Sequence, residues 1–153
     1  MYSHTVVFLH VLSAFVWVGG MIVIRVAVHP VMQSIEDPKI KLAKTLQIME
    51  RLFHLVIPFI AALLVTGLIM AISSQGHHGS MKSLFLSKEI IWMVMTVNFT
   101  WMYFKRRKAE KLFEMDDLPS AKSAVVLIPN YLLPINIALG ILALWLGLIL
   151  RGL

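Results

Sequence analysis

Four long apolar runs, at about residues 5–30, 52–74, 84–105 and 123–150, constrain this chain more than any other feature. Each approaches or exceeds the roughly 20 mostly apolar residues that carry a helix across a bilayer. Inside hydrocarbon a lone segment satisfies its own backbone only as a helix. The expected fold is therefore an all-α integral membrane protein, a four-transmembrane-helix antiparallel bundle forming one domain over residues 1–153. A composition 59% hydrophobic and 14% charged, with a mean hydropathy of +0.82, agrees with the membrane class. The first ten residues, MYSHTVVFLH, lack a basic leader region and a small-residue cleavage site, so the first run is expected to stay as a span.

The net charge of +6 sits between the apolar runs. It reads as topology signal and contact with anionic lipid headgroups rather than as a nucleic-acid surface. Lys39, Lys41, Lys44 and Arg51 flank the loop after the first run, and Lys105, Arg106, Arg107, Lys108, Lys111 and Lys122 flank the loop after the third. The other side holds Lys82, Lys88 and Arg151. That imbalance predicts a multi-pass protein of a bacterial inner membrane with both termini on the non-cytoplasmic side.

Local signals place the helix ends. Asp37 followed by Pro38 reads as an N-cap with proline in the first turn, launching an amphipathic segment from Lys39 to Glu50 that starts in water. SSQGHHGS, residues 73–80, is a turn by composition. KRRKAEKLFEMDD continues the third helix into solvent, Pro119-Ser120 is expected to cap the fourth, and Pro129 and Pro134 are expected to kink it.

Polar residues inside these runs need an explanation, because an ionisable group facing lipid costs several kcal/mol. In the first run His10, Trp17, Met21, Arg25 and His29 fall within an arc of roughly 120° at about 100° per residue. Depth sorts them into two groups. Near one surface His10 can meet Met70 of the second run and Lys88 of the third. Near the other, Arg25 and His29 can meet Glu50, Arg51 and His54. Neutral imidazole and thioether are haem ligands, and arginine suits porphyrin propionates, so His10 with Met70, or His29 with His54, are chemically sensible axial pairs in a bundle. His29 and His54 fit interfacial hydrogen bonding equally well.

Lys88 can snorkel, pair with an anionic ligand group or take part in proton transfer. Trp17 and Trp92 suit packing, Trp101 and Trp145 an interfacial belt, and Asn98, Asn130 and Asn136 interhelical hydrogen bonds. Gly19-Gly20 and Gly67 leave room for a close helix or a flat ligand. His77 and His78, with Met81, form a soft cluster that can collect copper. Cysteine is absent, which excludes disulfides, thiolate metal sites, iron–sulfur clusters and cysteine-linked haem. The absence of a nucleophile triad, a phosphate loop and paired intramembrane carboxylates argues against hydrolysis and for redox chemistry on a bound cofactor.

LHVLSAFVWVGGMIVIRVAVH, MERLFHLVIPFIAALLVTGLIM and FLSKEIIWMVM together resemble the HemJ-type protoporphyrinogen oxidase family and, more loosely, the copper-resistance CopD-like membrane proteins. The resemblance rests on a histidine, Trp-x-x-Gly, arginine and terminal histidine in the first helix, on a second run similar to the family's Met-Glu-Arg-x-Leu, proline and Thr-x-x-Gly pattern, here Met49-Glu50-Arg51-Leu52-Phe53, Pro58 and Thr66-Gly67, and on Lys88 at the start of the third. It implies an integral bundle binding haem b, with His10 the leading ligand candidate and Lys88 a functional partner. Its implied activity is oxidation of protoporphyrinogen to protoporphyrin, electrons passing to quinone or another haem protein.

The leading expectation is a haem b-containing membrane redox protein with one or two haems. The candidate catalytic residues are Lys88 and Arg25, and the candidate cofactor residues are His10, His29, His54, Met70, Trp17 and Arg51. Iron ligands come from His10, His29 and His54. The alternatives are a copper binding or transport protein using His77 and His78, and an accessory subunit of a respiratory membrane complex. Expected partners are membrane lipids, a porphyrin or quinone, and a second copy or other membrane redox subunits.

Overall fold

The computed structural model describes residues 4–73 and 80–150. Helix α1, His4–Val23, runs through a π-helical turn, Ile24–Val28, into α2, His29–Gln33. Helix α3 spans Pro38–Ser73 and α4 spans Ser80–Glu114. The short α5, Leu118–Val125, leads through a second π-helical turn, Ile128–Leu132, into α6, Leu133–Leu150. No strand occurs among the described residues. Three segments, His4–Gln33, Pro38–Ser73 and Leu118–Leu150, are long and apolar enough to cross a membrane.

The packing reflects a strict heptad spacing. Along α3 the buried positions include Leu42, Leu46, Met49, Phe53, Val56, Ile60, Leu63, Gly67 and Met70, alternating steps of four and three. Along α4 they are Lys88, Trp92, Met95, Phe99, Met102, Arg106 and Ala109, again four and three. His10, Ala14, Trp17 and Met21 continue the pattern on α1, and Leu133, Asn136, Gly140 and Ala143 on α6. A repeat of 3.5 residues keeps one seam facing inward along the whole helix, the geometry of coiled-coil and bundle packing. Helix α1 packs against α3 and α6, and α4 against α3 and α6, so α1 and α4 lie on a diagonal of the bundle.

Asp37 caps α3 as expected, its Oδ1 accepting from the Lys39 and Ile40 amides at 2.8 and 3.0 Å. The helix then runs unbroken from its charged start into the second apolar run. The last helix begins differently from expectation. Asp117, not Pro119 or Ser120, is its N-cap, accepting from the Ser120 amide at 3.2 Å. A carboxylate accepts that bond better than a hydroxyl, and Pro119, lacking an N–H, fits the first turn where no donor is required. Pro129 falls in the second π-helical turn, where the Leu133 amide bonds back to the Ile128 carbonyl. Asp116 sits at φ 60 just past α4, with the Asp117 amide on the Leu112 carbonyl and the Asp116 amide on the Phe113 carbonyl. That is a Schellman ending. Lys39 donates to Asp116 at 2.8 Å, which holds the Asp116 carboxyl below the usual carboxylate range.

Helices α1 and α6 approach closely at Gly140, where an added Cβ would lie 2.5 Å from Val18 Cγ2. Gly140→Ala should therefore lower stability by about 1–3 kcal/mol. Trimming Val18 to Ala in the same chain should recover part of that loss, and thermal unfolding in detergent measures both.

Candidate functional site

Polar residues occupy several seam positions. His10, Lys88, Arg106 and Asn136 are all buried, as are Ser13 and Thr66 beside the seam. Asn136 donates to the Met95 carbonyl at 3.2 Å and accepts from Asn98, which also donates to the Leu132 carbonyl, so these two asparagines lock α4 to α6. Arg106 donates to the Leu46 carbonyl and to Glu110 at 2.8 Å and ion-pairs with Glu50 at 3.3 Å, locking α4 to α3. Both sets are closed by neighbouring helices and read as structural. Asn130 is exposed and joins neither.

His10 and Lys88 form the remaining cluster, at the end of the bundle where α1 begins. His10 Nδ1 lies 2.9 Å from Thr66 Oγ1. The Thr66 hydroxyl has one proton, which it directs at its own helix, 2.7 Å from the Ala62 carbonyl and 3.1 Å from that of Leu63. The bond to the ring is thus best made by His10 Nδ1 donating, which fixes the tautomer and makes Nε2 the lone-pair nitrogen. One residue along α3, Gly67 takes a seam position that an apolar side chain would normally fill. A Cβ there would meet Glu89 Oε2 at 3.2 Å and His10 Cε1 at 3.7 Å. The missing side chain is the space into which α4 sends the Glu89 carboxylate and α1 the imidazole.

Glu89 Oε1 lies 3.5 Å from Lys88 Nζ, a loose ion pair with the lysine side chain almost wholly buried. That oxygen is shielded from solvent with no hydrogen-bond partner among the described residues. Two further buried polar atoms share this state, Trp17 Nε1 and Trp92 Nε1. They adjoin the cluster, Trp92 one turn past Glu89 on α4 and Trp17 stacked on Trp92 with centroids 5.6 Å apart. From there aromatic rings continue down the core, Trp17 to Phe99 at 6.0 Å, Phe99 to Phe53 at 4.9 Å and Phe53 to Tyr103 at 6.3 Å. They reach the level of Arg106.

The expected site residues fall into separate places. His10, Trp17, Met70 and Lys88 are buried on the seams, and Met70 lies one turn beyond Thr66 on the same stripe of α3. Arg25 and His29 are half-buried with local neighbours, Arg25 Nη1 lying 3.4 Å from His29 Nδ1 and the Gln33 amide 3.2 Å from His29 Nε2; the neutral ring accepts at one of these nitrogens and donates at the other. Arg51 and His54 are exposed. With His10 beside Thr66 and Gly20 beside Leu52 and Val56, His54 is level with about residue 22, so His29 lies roughly 10 Å further along. The structure does not bring His29 and His54 together. His77 and His78 lie outside the described residues. Among the described residues no group of three or more His, Cys, Asp and Glu side chains gathers as a metal site.

Sequence reasoning missed Thr66 and Glu89. Glu89 is the one acid inside an apolar run, and its neighbour Lys88 drew the attention. No family model, curated protein or solved structure matches this chain.

Thr66→Val keeps the shape of the side chain but removes the acceptor for His10 Nδ1. It should cost about 1 kcal/mol in detergent unfolding, with Thr66→Ser near wild type. Equal stability of all three proteins would show that the hydrogen bond does not hold the ring.

Proposed function

We propose that this chain is a haem b-binding membrane redox protein in which His10 would hold the iron. The observation that carries the reading is the buried His10 ring held at Nδ1 by Thr66. Histidines that ligate metals characteristically donate their other ring nitrogen to such an acceptor, so Nε2 is the nitrogen that would meet the iron. The donor chemistry fits the group: a buried imidazole of fixed tautomer, a cation and a carboxylate at its side, and Met70 on the same stripe as a thioether. Haem iron would supply one-electron transfer. Lys88 Nζ is the cation for an anionic porphyrin substituent, and Glu89 Oε1 is the acceptor atom for a proton released in an oxidation. The substrate class in this reading is a reduced porphyrin, with electrons leaving to quinone or to another haem protein.

The same reading makes α4 a fourth span in a bacterial cytoplasmic membrane, with both chain termini on the non-cytoplasmic side. It is supported by the exposed apolar face of α4 and by the basic residues gathered at the opposite end of the bundle from His10.

Purification from a haem-replete host tests the proposal. The expected result is a Soret band and a haem b pyridine haemochrome, with His10→Ala losing the haem and His54→Ala keeping it. Absence of haem from folded wild-type protein, or undiminished haem in His10→Ala, would overturn it.

A further inference from the structure

The basic run Lys105-Arg106-Arg107-Lys108 on α4 is not used uniformly. Only Arg106 turns inward, where Glu50 and Glu110 consume its charge. Lys105 and Lys108 have no carboxylate partner among the described residues; Lys105 Nζ instead stands 5.9 Å over the Trp101 ring. The two lysines edge a shallow groove of about 430 Å³ bounded by Thr100, Trp101, Phe104, Lys105 and Lys108. Trp101 and Phe104 are 59% and 65% exposed within it. Behind the groove, Ile90, Met93, Val94 and Val97 carry an exposed apolar stripe along the same helix. The stripe stops at Phe104, and the outward charge begins with the next residue.

An apolar track of this length ending in two outward cations is complementary to one kind of molecule, a lipid with an acyl chain and a negative headgroup. We infer that this face of α4 is a binding site for an anionic phospholipid, its phosphate between Lys105 and Lys108 and its acyl chain along Trp101, Phe104 and the stripe. Trp101 serves both parts, since its ring covers the chain and its face attracts Lys105. The inference rests on α4 lying in the bilayer and is independent of haem.

Native mass spectrometry of the full chain in detergent tests it, with phosphatidylglycerol and phosphatidylcholine of matched acyl chains as probes. The chain should retain phosphatidylglycerol in preference to phosphatidylcholine. K105Q/K108Q should reduce that preference about 25-fold, since each surface lysine contributes roughly fivefold. Trp101→Ala should weaken both lipids. These side chains are surface residues, and an unchanged unfolding temperature checks that the variants fold. Equal retention of the two lipids, or an undiminished preference in K105Q/K108Q, overturns the site. So does a lipid-free dimer that Trp101→Ala converts to monomer, because a second copy would then cover the face. Loss of haem binding with lipid preference intact would count against the proposed function alone.

Discussion

The heptad seam is the constraint on which the rest of the structure depends. Within a bilayer, lipid tails are as apolar as leucine, so burying Leu or Val between helices gains little over leaving it in lipid. Close packing and interhelical hydrogen bonds must hold the bundle. The seam supplies both, bringing helices near at Gly140 and placing Asn136, Arg106, His10 and Lys88 where water and lipid are excluded. Each polar seam residue is then a demand that a neighbouring helix has to meet.

The asparagine and arginine demands are met by side chains and carbonyls of the neighbouring helices, and the His10 end is built differently. The Asn98–Asn136 and Arg106–Glu50–Glu110 networks close on themselves, each with carbonyl acceptors at hand. At the His10 end the chain leaves a gap at Gly67, fills it with a carboxylate, and leaves Glu89 Oε1 and two indole N–H groups nearby without hydrogen-bond partners among the described residues. Buried polar groups left in this state cost on the order of 1–3 kcal/mol each. Among the described residues these costs gather toward the His10 end of the bundle, from Glu89 inward to Trp92 and its stacking partner Trp17.

Much of this was legible in the sequence. The helices, the Asp37 cap and the burial of Trp17 follow from apolar runs and spacing, whereas the burial of Lys88 settles between readings that the sequence left open. Arg25 and His29 were less legible, for a physical reason. An ideal 3.6-residue helix puts them on the stripe of His10 and Trp17, but the π-helical turn at Ile24–Val28 adds a residue to that turn and rotates α2 relative to α1. His54 was misleading because depth was matched without facing: its neighbour Phe53, not His54, holds the seam position. Glu89 was hidden because its role depends on an absent side chain on another helix, Gly67, which no single run displays.

The proposed function needs His10 to be an iron ligand whose Nδ1 carries the proton and donates to Thr66. Nitrogen NMR of the histidine-labelled apoprotein, before and after adding haemin, tests it most directly. The expected result is that His10 carries its proton on Nδ1 and that haemin broadens the His10 Nε2 resonance while leaving those of His29 and His54 in place. A proton on His10 Nε2 in the apoprotein, or broadening at His29 or His54 instead, would contradict it.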